Sequence, residues 1–600
     1  IYDITSWLQV LGRIGRDFTI EQYETRNKPI DALGLQNGYY SNNLARNVGD
    51  NYDFTMTAKK DEILDSKLDL TFSMGTSRYN TENYYIGGRS GTWYYPNMYT
   101  FFNYTDNIYS TDANNNTIVE QFGNTPGSMA PSEQIIRKRI NSVYSFLNLA
   151  YDSYLFLELT GRNDWSSTLP KGNNSYFYPS VSLSFIASEV IDFQKHINWL
   201  NFMKIRGGIA QTATDTDPYL MTFHYNTTLF GGQQASNFPA TIPPLNLKPQ
   251  RVNSYEGGLS LGFFDNRIDM DFTYYYLYSF DQIIPNLPLP FSSGATTIMT
   301  NEGVLTNKGI ELIINTVPVR TKDWLVRSGI NIARNRNKVV SLGGSADSYM
   351  LADIWGLNGP AMILHEGDSY GTISGYDYIF DENGNRVVNE EGTKYLITDT
   401  RVPIGNAAPH FIGGWNTMAA YKGFKFTMLI DTKWGGDIYC GSYVIGLQTG
   451  QSPETLKERE GDGLPYTDPD GNTSNIGIIL DGVHEDGTPN TTVVHYYYKY
   501  LPNAGGWGKF VSTPGILENT WVKMRELSLA YTIPQKWLEK LKAFQNLTVS
   551  FTARDLFYIY TTLPDKINPE GIMGSGNAQG FEWASFPGTR SFVFGLTASF

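Results

Sequence analysis

The sequence predicts an all-β protein, an antiparallel transmembrane β-barrel, and three observations carry that prediction. Period-two alternation of apolar and polar residues recurs along about 16 segments of the chain, as strands with two unlike faces require. Aromatic residues make up 14% of the 600 residues, including 41 Tyr and 33 Phe, a supply suited to the interfacial girdles of a barrel. The connections between segments alternate between short and long, which sorts them to opposite sides of a membrane.

In chain order, strands are expected near 6–19, 52–59, 67–75, 142–150, 155–163, 177–187, 202–212, 254–263, 267–278, 308–318, 324–339, 409–420, 424–433, 521–533, 547–554 and 590–600. Lys67–Gly75 places Leu68, Leu70, Phe72 and Met74 on one face, and Asp69, Thr71 and Ser73 on the other. Arg267–Tyr278 sets Ile268, Met270, Phe272, Tyr274 and Tyr276 against Asp269, Asp271 and Thr273. Phe424–Lys433 opposes Phe424, Phe426, Met428 and Ile430 to Lys425, Thr427 and Asp431. Leu547–Arg554 opposes Leu547, Val549, Phe551 and Ala553 to Thr548, Ser550, Thr552 and Arg554. The last segment, RSFVFGLTASF, alternates Phe592, Phe594, Leu596, Ala598 and Phe600 with small and hydroxyl residues. A charge facing lipid costs about 2–4 kcal/mol at the midplane, so the faces bearing Asp69, Asp269, Asp271, Asp431 and Arg554 are predicted to line the lumen.

The short connections (60–66, 151–154, 188–201, 264–266, 319–323, 421–423, 534–546) read as periplasmic turns. The stretches 188–201 and Gln535–Phe544 each have room for one short helix. The long connections (20–51, 79–141, 164–176, 213–253, 279–307, 340–408, 434–520, 555–589) read as ordered but irregular extracellular structure, where function concentrates. Mean hydropathy is −0.31. No run of about 18 apolar residues appears, so membrane-spanning helices are excluded while a barrel is not. The net charge of −13 argues against nucleic acid as a partner. The single cysteine, Cys440, excludes an intramolecular disulfide and a Cys-rich metal site.

Motifs for chemistry are sparse. The six histidines lack metal-ligand spacing. Asp381-Glu-Asn-Gly-Asn385 and Asp468-Pro-Asp-Gly-Asn472 carry the alternate oxygen ligands of a partial Ca²⁺ loop, without the closing glutamate at the twelfth position. The same Asn-Gly and Asp-Gly pairs also make tight hairpin turns, and both readings stand. Asp164, Ser166 and Ser167 have no histidine beside them, and a nucleophile without its base is no hydrolase. No cofactor is otherwise expected, and no catalysis. The ring cluster Trp93, Tyr94, Tyr95, Tyr99, Phe101 and Phe102, together with Trp355 and Trp507, is the candidate surface for a ligand or for a covering partner protein.

Several separated motifs then carry a resemblance. They are Arg162-Asn-Asp-Trp-Ser-Ser167 with Tyr178-Pro-Ser-Val-Ser-Leu183, and Met203-Lys-Ile-Arg-Gly-Gly208. Leu245-Asn-Leu-Lys-Pro-Gln250 follows with Glu256, then Asn301, Gly303, Asn307, Gly309 and Glu311. Trp521–Pro534, Asp555-Leu-Phe557 and Asn568-Pro-Glu570 complete the set. In this order they resemble the SusC/RagA-type TonB-dependent outer-membrane transporters of the Bacteroidetes, from about residue 140 to the end. The resemblance implies a barrel of about 22 strands in a Gram-negative outer membrane. It also implies an amino-terminal extension, a plug domain and first strands lying upstream of a barrel portion that occupies 1–600. It further implies import of an oligopeptide or a glycan, a SusD-like lipoprotein lid, energy from the TonB–ExbB–ExbD complex, surrounding outer-membrane lipid, and pairing of two transporter–lipoprotein units. A passive porin of about 16 strands and a surface adhesin or scaffold are the alternatives.

Overall fold

The computed structural model describes residues 1–27, 39–63, 67–90, 100, 108–111, 117–120, 130–195, 197–223, 225–230, 233–343, 347–353, 359–456, 458–500, 510–541, 544–574 and 576–600. Among these residues one sheet holds 18 strands, of which Thr241–Ile242 is a two-residue parallel addition. The other seventeen follow the chain, each antiparallel to the next. They are β1 (Tyr2–Thr5), β2 (Leu8–Asn27), β3 (Tyr39–Lys60), β4 (Leu68–Ser90), β5 (Ala130–Tyr151), β6 (Leu155–Ser166), β7 (Ser175–Ile186), β8 (Leu200–Thr214) and β9 (Gln250–Phe263). There follow β10 (Ile268–Pro288), β11 (Thr297–Arg320), β12 (Trp324–Ser341), β13 (Phe411–Tyr421), β14 (Phe424–Trp434), β15 (Trp521–Thr532), β16 (Asn546–Thr561) and β17 (Ser591–Ser599). Each expected segment overlaps one of these strands, with ends that differ by up to two residues where it overruns, and β1 is an addition.

The strands run further toward the long connections than alternation suggested. β3 has 22 residues and β4 has 23, where about 9–11 suffice to cross the bilayer. Beyond the membrane both faces of a strand are wet, so the ladder continues without the unlike faces that alternation reports. Tyr84–Ser90, read as loop, is therefore strand. The connection after β7 also differs from expectation. It forms two 3₁₀ turns, Ala187–Glu189 and Phe193–Lys195, rather than one helix. The intervening Val190 and Ile191 are β-branched and form helix poorly, and Asp192 follows them. The helix Gln535–Leu541 does form.

Two aromatic girdles bound the outer face. At the short-turn rim Trp324 stacks on Tyr421 and Phe424 lies against Tyr531, each pair 4.3 Å between ring centroids. At the long-loop rim Phe411 stacks on Trp434 at 5.8 Å, and Trp434 lies 6.3 Å from Tyr560. β14 joins the two girdles from Phe424 to Trp434, which at the usual strand tilt rises about 25 Å, the height of an apolar band. Polar groups inside that band satisfy each other. Trp415 Nε1 donates to Ser328 Oγ at 2.8 Å, and Ser328 pairs with Thr417 at 3.0 Å, so neither of these hydroxyls meets lipid unpartnered.

The described parts of the connections 342–410, 435–520 and 562–590 fold together into a compact cap instead of the irregular loops expected. Strands Ser348–Asp353, Ala361–His365, Thr372–Gly375 and Val402–Asn406 make a small sheet. Tyr378, Val388, Tyr395, Leu480, Val494 and Val511 form one core. Met362, Ile373, Tyr439 and Phe581 form another.

Candidate functional site

Under this cap the lumen wall encloses a cavity of about 930 Å³. Tyr275 of β10, Asn335 and Asn337 of β12, Lys433 of β14 and Trp521 of β15 reach it from the wall. Tyr370, Glu570 and Asn577 reach it from the cap, where Tyr370 OH donates to Asn577 Oδ1 at 3.1 Å. The alternation puts these wall residues on the inner face: Lys433 pairs in register with both Trp521 and Ile412, and Ile412 with Ala333. Rings that present flat faces, amides that donate and accept, and one lysine therefore converge with the apolar Met362, Ile412 and Ile572 on a space sized for a ligand.

Beside the cavity an ion-pair ladder ties the cap to the wall. Arg525 Nε donates to Asp431 Oδ2 at 2.6 Å, Nη1 to Asp555 Oδ1 at 2.7 Å and Nη2 to Glu570 Oε1 at 2.6 Å. Lys523 Nζ reaches Asp555 at 2.9 Å and Glu570 at 2.5 Å, with its side chain only 8% exposed. Bulges in β15 and β16 create the arrangement. The register shifts between Leu429 and Ile430 and between Met524 and Glu526, and Asp555 takes a left-handed φ of 54°. Each bulge re-aims a side chain that regular pleating would have sent elsewhere. Burial by itself raises the Glu570 carboxyl, but hydrogen bonds from Arg525 and Lys523 outweigh it and hold the group below the ordinary glutamate range. Two cations meet three carboxylates here.

A second bridge crosses the wall lower down. Arg206 of β8 grips Asp271 of β10 with two bonds, 2.9 and 2.7 Å, passing over β9 at Gly258. A Cβ on Gly258 would lie 2.5 Å from Arg206 Cζ, so only glycine leaves this path open. In β6, Arg162 pairs with Asp164 at 2.8 Å, and Tyr178 OH donates to Asp164 at 2.7 Å. Ser166 donates to Asp215, which also pairs with Lys138 at 2.7 Å. Arg162, Asp164 and Ser166 of the RNDWSS motif thus form a bracing network, with Asp164 and Ser166 buried. Asn301 has a bracing role too, accepting from Lys248 N at 2.8 Å and donating to the Lys248 and Asp281 carbonyls.

Of the residues read as lumen-facing, Asp271 and Asp431 take part in these bridges. Arg554 pairs across the inner face with Glu526 at 2.8 Å. Asp69 sits at the short-turn rim, accepting from Glu62 N at 3.0 Å, and Asp269 is exposed on the same face as Asp271. Trp93, Tyr94, Tyr95, Tyr99, Phe101, Phe102, Trp355 and Trp507 lie outside the described residues. Asp381 Oδ1 accepts from Asn383 N and Asn385 N at 2.9 and 2.8 Å, and Asp468 Oδ1 from Asn472 N at 2.8 Å, so both carboxylates close turns. Among the described residues no group of three or more His, Cys, Asp or Glu could hold a metal ion. Sequence reasoning missed Lys523 and Arg525 as a pair. Their spacing of two on a wall strand was the available signal, because two inward cations require countercharges.

A family model described as TonB dependent receptor-like, beta-barrel matches residues 2–508. TonB-dependent receptor P3 of Formosa agariphila is 26% identical over 503 residues, which is 79% of this chain and 47% of that protein. TonB-dependent receptor SusC of Bacteroides thetaiotaomicron is 27% identical over 345 residues, 54% of this chain and 32% of that one. The chain spans about half the length of its Formosa relatives. Among solved structures, the RagAB peptide transporter superposes with a TM-score of 0.73 at 18% identity, covering 99% of this chain and 60% of that one.

Proposed function

The chain belongs to the TonB-dependent receptor-like β-barrel family of the outer membrane, and from that premise we propose that it forms the wall and cap of an active nutrient importer. The observation that carries this reading is the cavity between cap and wall. Tyr275, Tyr370 and Trp521 offer faces, Asn335, Asn337 and Asn577 offer donors and acceptors, and Lys433 offers a cation. An oligomer that mixes polar groups with apolar surface fits this lining, to which Met362, Ile412 and Ile572 also contribute. An oligopeptide is the first ligand to test, because Lys433 can meet a carboxylate, and the RagAB relative is by name a peptide transporter. An oligosaccharide is second, held by stacking on the same rings. A SusD-like lipoprotein covers the cap from outside, and the TonB–ExbB–ExbD complex supplies the energy. The chain carries transport and no catalysis.

The test is mass spectrometry on the complex gently extracted from its native outer membrane, paired with uptake before and after collapse of the proton gradient. The expected result is a stoichiometric lipoprotein, bound peptides or sugars, and uptake that stops. No lipoprotein, no bound oligomer and uptake that persists would leave a passive porin.

A further inference from the structure

The outward face of β2 to β5 carries a second feature that transport does not use. Without a register shift along their ladders, β2, β3, β4 and β5 keep one set of side chains outward over their whole length. From the short-turn rim upward, β4 shows Leu68, Leu70, Phe72 and Met74, then Thr76, Arg78, Asn80 and Glu82. Arg78 lies ten residues above Leu68, a rise of about 25 Å, so it stands where the apolar band ends and headgroups begin. At and above that level the same face carries Arg16, Arg46, Arg137 and Arg139. With Arg26 of β2, six guanidinium groups there face four carboxylates among the described residues: Asp50 pairs with Arg16 at 2.6 Å, Glu82 with Arg46 and Arg137 at 2.9 Å each, Glu24 with Arg26 at 2.7 Å, and Glu133 accepts from Tyr84 OH at 2.9 Å.

Arg78 and Arg139 stand out. Their Nε atoms both donate to one neutral acceptor, Asn80 Oδ1, at 3.3 and 2.9 Å, and neither has an ion-pair partner among the described residues. Two like charges are thereby held side by side with no anion between them. Two concavities flank this pair. One, of about 570 Å³, is walled by the outward Ile14, Tyr52, Phe54 and Arg78 and opens over Gly12, where a Cβ would meet nothing within 4 Å. The other, of about 430 Å³, lies higher between Asp50, Asn80, Glu82, Arg137 and Arg139. An apolar hollow below and a guanidinium-rimmed hollow above match an acyl chain and a phosphate on one molecule.

We infer that this face binds an anionic outer-leaflet lipid, with Arg78, Arg139 and Arg16 holding its phosphorylated headgroup and Gly12, Phe54 and Tyr52 receiving an acyl chain. Guanidinium groups suit this task because their donors fork onto phosphate oxygens and stay charged. Basic pockets at headgroup height bind anionic lipids for the same reason.

The test uses the full-length protein purified from the outer membrane, delipidated and returned to nanodiscs. The probes are a diphosphorylated glycolipid, its dephosphorylated form and inorganic phosphate, with binding read by native mass spectrometry and by thermal shift. The triple variant Arg16→Gln, Arg78→Gln, Arg139→Gln is expected to lose at least about tenfold in affinity for the phosphorylated glycolipid, since each charged hydrogen bond contributes on that order. Asp17→Asn alters the opposite face of β2, outside both hollows, and is expected to bind normally. Its normal binding also shows that an altered β2 still folds. Equal affinity in the triple variant and the parent, equal protection by the dephosphorylated lipid or by phosphate alone, or loss of a co-purifying protein with lipid unchanged would each overturn the inference.

Discussion

The barrel wall and the extracellular cap are one chain under two solvents, and they bury different things. In the wall the large apolar side chains are exposed: Phe594 at 81%, Leu596 at 71% and Ile14 at 80%. In the cap they are hidden, with Ile373, Val388 and Phe581 at 0% and Tyr439 at 1%. Lipid accepts apolar surface, so the wall needs no core and is held by its ladders and inner-face polar bridges. Water does not accept it, so the cap must build a core as any soluble domain does. Hydrophobic residues therefore mean contact with solvent in one region and exclusion of solvent in the other.

The sharpest break of that contrast is a large-to-small change on each side. Phe581→Ala opens a cavity at the centre of the cap and is expected to cost about 3–5 kcal/mol. Limited proteolysis should then cut 435–520 faster, while the barrel keeps its resistance to unheated detergent. Phe594→Ala leaves no cavity and should cost about 2 kcal/mol at most, seen only in the barrel's own unfolding. If Phe581→Ala lowers barrel and cap together, the two do not fold as separate units. A polarity swap tests the wall itself. Phe72→Arg places a charge in lipid at an expected cost of about 2–4 kcal/mol, whereas Ser73→Arg, one residue on, faces the lumen and should cost far less. Equilibrium folding into vesicles measures both.

The same asymmetry of solvents explains what could be read in advance. The wall strands were legible because lipid and lumen impose unlike faces, and Leu68 to Met74 against Asp69 to Ser73 shows it within seven residues. The outer halves of β3 and β4 were not, because water lies on both sides of Asn42 or Asn83 and no alternation is enforced there. The cap cores were hidden for a third reason. Tyr378, Val388, Leu480 and Val494 come from connections rich in Gly, Asn and Asp, and their partners are about a hundred residues away in sequence. Inward placement of Asp271 and Asp431 followed from the cost of charge in lipid, but Arg206 and Arg525 came from other strands. Bulges that aim Arg525 and Asp555 leave no trace in a period-two pattern.

The ion-pair ladder is where wall and cap meet, and it gives the intermediate effect. Arg525→Met removes the cation shared by Asp431, Asp555 and Glu570. These groups are partly exposed, so the expected cost, about 2 kcal/mol, falls between that of surface pairs and that of fully buried ones. Acid should mimic part of it. The carboxyl of Glu570 is held below its unfolded value, so its contribution is present above about pH 4.3 and fades as pH falls through the depressed value. Cleavage within 562–590 should rise below that pH in the parent. In Arg525→Met the onset should move upward, because Lys523 alone then holds Glu570 down. An unchanged onset would mean that the ladder does not secure the cap.

The smallest effect belongs to the two Asp-x-x-Gly-Asn turns of the cap, where the choice is between a closed turn and a bound Ca²⁺. The same local geometry occurs twice: Gly384 and Gly471 take φ of 83° and 87°, and the leading aspartate accepts from the asparagine backbone at 2.8 Å in both. A left-handed glycine and a backbone-capping aspartate are what a tight turn requires. If Asp381 acts only in this way, Asp381→Ala should cost about 1 kcal/mol, confined to hydrogen exchange of its own hairpin. Asp381→Asn keeps a carbonyl acceptor in place and should stay within about 0.5 kcal/mol of the parent. A Ca²⁺ site would behave otherwise, since replacing a charged ligand with an amide weakens binding while sparing the turn. Calorimetric titration with Ca²⁺ on the parent and on Asp381→Asn separates the two, and equal, negligible heats from both would assign the carboxylate to the turn alone.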